Sequence, residues 1–72
     1  MGWNEPLKFT LKELRARKNW TQIEAAREIG IAPQTYCSWE NNFGMVRAKY
    51  AYKIAKIYGV KLDQITISHN DF

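Results

Sequence analysis

The sequence predicts a compact all-α domain of five helices, and three observations carry that prediction. Two Thr-x-x-Glu capping boxes, Thr10 with Glu13 and Thr21 with Glu24, mark two helix starts eleven residues apart. Ala51, Ile54, Ala55 and Tyr58 fall at helical spacing. No alternating apolar run is flanked by hairpin turns, so strand signals are poor.

The elements follow in order. In the first box the Thr10 hydroxyl and the Glu13 carboxylate satisfy free amides of a first turn, while Phe9 and Leu14 hold the staple positions around it. With a second box so close, the first helix is short, near 11–18. The second starts after Thr21, with Trp20 just outside, and runs to Ile29, where Gly30 suits a left-handed cap. Pro33 opens a third helix, because its missing amide costs nothing there. That helix runs to Asn41, before Asn42-Phe43-Gly44 breaks the pattern. A fourth covers Arg47 to Tyr58 and ends at Gly59, and a short fifth turn is expected around Leu62 to Ile65. The domain is expected over 9–67, between an arm at 1–8 and a tail at 68–72.

Composition narrows the function. A hydrophobic fraction of 46% and an aromatic fraction of 14% build a core and argue against disorder. Cys37 is the single cysteine and His69 the single histidine, so there is no internal disulfide, no zinc set and no His-based catalytic set. No enzyme is expected: no Gly-rich phosphate loop follows a strand, and the lone thiol has no histidine nearby. No metal, cofactor or small-molecule effector is expected. No apolar run approaches a membrane span, the N-terminus lacks signal-peptide order, and Pro6 stands where a myristoylation motif needs Ser or Thr. The chain reads as soluble and cytoplasmic. A net charge of +4 and a pI near 9.4 point to an anionic partner, nucleic acid first.

The second and third helices are joined by only Gly30-Ile31-Ala32, a turn that holds helices near 90–120°. Ala26 and Gly30, four apart, are the small residues expected where they cross, with Ile29, Ile31, Tyr36 and Trp39 pinning the pair to the body. Removing the core positions from the third helix leaves Gln34, Cys37, Ser38 and Asn41 in an i, i+3, i+4, i+7 row. The row is rich in amide and hydroxyl groups and lacks long charged side chains, unlike an ordinary solvated face.

The stretch TQIEAAREIGIAPQTYCSWEN resembles the helix-turn-helix of phage-repressor-type (Cro/CI, Xre-like) regulators. The likeness extends through LKELRARKN upstream and IAKIYGVKLDQI downstream, about residues 9–66, and implies a lambda-repressor-like DNA-binding fold. Ala25, Asn42 and Ala48 depart from the family pattern, where a larger aliphatic, a glycine and a proline are usual. Carried over, the resemblance makes the helix from Pro33 the recognition helix, presenting Pro33, Gln34, Cys37 and Ser38 to base edges in the major groove. A glutamine amide both accepts from adenine N6 and donates to N7. The resemblance assigns Gln22, Arg27, Asn41, Arg47 and Lys49 to phosphates, contacts that set register and affinity. Lys12, Arg17, Lys18, Lys53 and Lys56 read as a solvated face, and Cys37 as a small tolerated side chain.

Arg15 differs from the other cations. It shares a stripe with Leu11 and Leu14, so its head group points inward, and the family pattern pairs it with Glu40 as a structural clamp. The resemblance implies sequence-specific binding of double-stranded DNA by a small repressor of phage or mobile-element type, acting by occupying an operator. One recognition helix reads few base pairs, so a homodimer on an inverted repeat is expected, with half-sites about 34–36 Å apart. Tyr50, Tyr52 and Ile67 are candidates for the dimer face. The rival reading keeps the fold as an antitoxin or adaptor with a protein partner, and expects an exposed apolar patch containing Trp3, Phe43 or Phe72.

Overall fold

The computed structural model describes residues 8–66. Four α-helices lie within them: α1 (Leu11–Arg17), α2 (Gln22–Ile29), α3 (Pro33–Asn41) and α4 (Ala48–Tyr58). The expected fifth helix is a single 3₁₀ turn, Leu62–Gln64, and a second such turn, Phe43–Met45, fills the break after α3. The five-helix expectation is therefore corrected to four helices and two short turns. Three residues of 3₁₀ helix are what so short a segment supports.

Both capping boxes form. Thr10 Oγ1 accepts from the Glu13 amide at 3.1 Å, and Glu13 Oε1 accepts from the Thr10 amide at 2.8 Å. Thr21 and Glu24 repeat the exchange at 3.1 and 2.7 Å. α1 ends at Arg17, with Lys18 as its cap, and Asn19 at φ 59 turns the chain toward Trp20. α4 begins at Ala48 rather than Arg47, which is its N-cap.

Gly30 closes α2 at φ 91, and its amide donates to the Ala26 carbonyl at 2.8 Å. Its expected place in the helix crossing is corrected. Gly30 is exposed, and a Cβ there would meet only Lys53 Nζ at 3.6 Å, so its backbone sign is what requires glycine. The small residues at the crossing are Ala25 and Ala26, both fully buried. α2 packs on both α3 and α4.

Leu11, Leu14, Ile29, Tyr36, Trp39, Ile54, Ala55 and Tyr58 form the core, with Phe9, Trp20 and Ile31 packed against it. Among the described residues, a parallel bridge between Phe9 and Ile65 ties the segment before α1 to the segment after α4. The Phe9 amide donates to the Gln64 carbonyl at 2.7 Å, and the Thr66 amide donates to the Phe9 carbonyl at 2.8 Å. This pairing holds the start of α1 against the chain beyond α4.

Candidate nucleic-acid interface

α3 is anchored by one face and free on the other. Tyr36, Trp39 and Glu40 are buried, while Pro33, Gln34, Thr35, Ser38 and Asn41 are exposed and Cys37 is half-buried. The polar row expected from the sequence thus lies on the outer face, with Cys37 set back at its edge. Thr35 belongs to the same exposed first turn. The row from Gln34 at helical spacing passes it by, and its place one residue beyond Gln34 was the available signal. The Ser38 hydroxyl donates to the Gln34 carbonyl at 3.2 Å, which leaves its oxygen free to accept.

The inner face is fixed by directional bonds as well as packing. Arg15 on α1 donates through Nε to Glu40 Oε2 and through Nη2 to Oε1, the latter at 3.4 Å, and its Nη1 donates to the Trp20 carbonyl at 3.1 Å. The expected clamp between α1 and α3 is present. Hydrogen bonding to Glu40 raises the guanidinium above its ordinary pKa, outweighing the opposing effect of burial, so Arg15 stays charged. Tyr36 on α3 and Tyr58 on α4 share a buried hydroxyl–hydroxyl bond of 2.9 Å. Burial pushes both phenols above their ordinary range, and at Tyr36 the bond to Tyr58 pushes the same way.

The flanking residues divide. Arg27 on α2, Arg47 at the α4 N-cap and Lys49 are exposed, and among the described residues none of the three is ion-paired. Lys49 Nζ lies 5.3 Å from the centre of the Tyr50 ring, which packs against Trp39 with centroids 5.4 Å apart. One aromatic pair therefore connects a flanking cation to α3. Gln22 is only half-exposed, and its Nε2 donates to Glu40 Oε1 at 2.9 Å, a contact the sequence did not announce.

Of the residues considered for a partner surface, Tyr50 is half-buried against Trp39, Tyr52 is 64% exposed and Phe43 packs on the core. Ile67, Trp3, Phe72 and His69 lie outside the described residues. Among the described residues, no group of three His, Cys, Asp or Glu side chains comes together as a metal site, and no helix is long and apolar enough to cross a membrane.

The helix-turn-helix family pattern matches residues 11–65. An uncharacterized HTH-type transcriptional regulator of Methanocaldococcus jannaschii is 38% identical over 65 residues, 90% of this chain and 98% of its own length. One from Archaeoglobus fulgidus is 34% identical over 61 residues, 85% of this chain and 86% of its own. The cryptic phage CTXphi transcriptional repressor RstR of Vibrio cholerae is 29% identical over 55 residues, 76% of this chain and 50% of its own. No solved structure matches at a comparable level. The chain belongs to the helix-turn-helix family of transcriptional regulators.

Proposed function

We propose that this helix-turn-helix chain binds a specific double-stranded DNA sequence through α3 and acts as a repressor by occupying an operator. One observation carries the reading: α3 holds Tyr36, Trp39 and Glu40 in the body and leaves Gln34, Ser38 and Asn41 exposed on the opposite side. Amide and hydroxyl groups on a helix that fits the major groove are the chemistry that distinguishes base pairs. In this reading Pro33, Gln34, Cys37 and Ser38 face base edges, and Gln22, Arg27, Asn41, Arg47 and Lys49 face phosphates. The phage-repressor name of the Vibrio cholerae relative supports repression in particular.

The chain acts as a homodimer on an inverted repeat, because two half-sites supply the base pairs that one α3 lacks. Selection of bound duplexes from a random pool, at stated salt, tests the proposal. An enriched inverted repeat is expected, with two chains per duplex by sedimentation. Absence of enrichment would overturn the operator reading and favour a protein partner on the same fold. Enrichment of a single half-site bound one-to-one would overturn the dimer.

A further inference from the structure

We propose that Glu40 is a positioning residue for nucleic-acid binding, aiming the Gln22 amide at the DNA backbone while Arg15 neutralises it. The inference rests on the DNA-binding reading above and gives the clamp a second task. Glu40 is buried on the inner face of α3, and its two oxygens are shared between Arg15 and Gln22. An ionised carboxylate only accepts hydrogen bonds, so it takes the nitrogen end of the Gln22 amide and never the oxygen end. Without that partner a glutamine side chain at a helix start swings freely and presents carbonyl or amine with equal ease. Phosphate oxygens also only accept, and a carbonyl turned toward one repels it. With one N–H held by Glu40 at 2.9 Å, the other N–H of the same nitrogen remains for an acceptor on the exposed side of Gln22.

Arg15 is what makes this arrangement compatible with a phosphate. A lone carboxylate beneath the amide would repel the approaching backbone, whereas the pair with Arg15 removes its net charge. Arg15 also donates to the Trp20 carbonyl, which fixes the segment leading into α2 and with it the origin of the Gln22 side chain. Three helices thereby converge on one carboxylate: α1 through Arg15, α2 through Gln22, and α3, which carries Glu40 itself.

The test uses the full chain and a duplex recovered by selection, with single phosphates replaced in turn by neutral methylphosphonates. Wild type should lose affinity at one phosphate per half-site that Gln22→Ala no longer senses, and Gln22→Ala should bind the unmodified duplex about tenfold more weakly, as for one hydrogen bond to a charged acceptor. Glu40→Gln keeps the shape of the carboxylate but no longer dictates which end of the amide it takes. It should reduce sensitivity at that same phosphate, and the double variant should show no loss beyond Gln22→Ala there. A folded Glu40→Gln chain with the wild-type phosphate map would overturn the proposal. If Glu40→Gln does not fold, NMR of the wild-type Gln22 side-chain amide decides. One proton should be shifted and protected in the free chain, and the other should shift on adding the duplex; an amide whose two protons both keep the shifts and fast exchange of a free glutamine would overturn it. A wild-type chain that binds no duplex sinks the DNA-binding reading itself, a different result from binding with an unchanged map.

Discussion

Removing Arg15 should cost more than removing Glu40, although the two form one ion pair. Their side chains are 18% and 7% exposed, so Glu40 is the deeper charge. Arg15→Ala strands that carboxylate without a counter-charge, the Gln22 amide remaining as a neutral donor, which places the variant within the about 3–5 kcal/mol typical of breaking a buried pair. Glu40→Ala leaves Arg15 its bond to the Trp20 carbonyl and a partly wet head group, so its cost should fall below that range, at about 2 kcal/mol. A domain of this size holds about 5–15 kcal/mol, and each kcal/mol moves its Tm by about 4–8 °C. Arg15→Ala should therefore melt at least about 12 °C earlier. The double variant has no uncompensated charge and should lose less than the two single losses together. Urea denaturation followed by tryptophan fluorescence reads all four corners of the cycle, since Trp20 and Trp39 both pack on the core. Additivity within about 0.5 kcal/mol would show that the charges are uncoupled. Glu40→Ala costing more than Arg15→Ala would refute the argument from depth.

Tyr36→Phe or Tyr58→Phe alone leaves a buried hydroxyl without its partner and should cost about 1–3 kcal/mol, while the double phenylalanine variant should cost less than the sum in the same urea assay. Because both phenols are raised in the folded chain, the unfolded state releases their protons first, above about pH 10; stability should be level below that pH and fall above it by about 1.4 kcal/mol per pH unit for each tyrosine. An alkaline denaturation series checks this, and a slope unchanged in the double phenylalanine variant would contradict it. Gly30→Ala should lose about 1–2 kcal/mol through its left-handed backbone, and Gly30→Asn less, as thermal melting will show. On a selected duplex Gln34→Ala should cost about 1–3 kcal/mol and relax one base pair per half-site, whereas Arg27→Ala should weaken all duplexes alike and flatten the salt dependence. Titrations across a salt series separate the two, and the opposite pattern would mean that α3 faces the other way.

Much of this architecture was legible because its signals are local. A Thr-x-x-Glu box completes its hydrogen bonds within four residues, and Gly30 and Gly59 show their left-handed need at the helix ends where they stand. The exposed row on α3 followed from subtracting apolar positions, and Arg15–Glu40 from an inward-pointing cation together with the family pattern. Gly30 itself was half-read: its capping role was visible, but its exposure depends on how α2 and α3 cross. What escaped depends on partners distant in sequence. The Phe9–Ile65 bridge is one such case. The Tyr36–Tyr58 bond is another: helical periodicity says that each ring is buried, not that the hydroxyls, 22 residues apart, will meet. Gln22 looked free because its own helix start is exposed. Only the packing of α3 beneath it brings a carboxylate within reach.

The distant side-chain contacts share a target in α3. Tyr36 and Glu40 stand four apart on the buried face of α3, one receiving Tyr58 from α4 and the other Arg15 from α1 and Gln22 from α2. Apolar packing alone resists rotation of a helix only weakly, because a core accepts several hydrophobic arrangements at modest cost. Hydrogen bonds lose strength steeply with angle, and a buried group that loses its partner bears the full desolvation penalty. Bonds from three directions onto one face therefore fix the rotation of α3 about its own axis. The outer row of Gln34, Ser38 and Asn41 is rigidly related to that face, so whatever those side chains meet, they meet it at an angle set by the polar bonds beneath them.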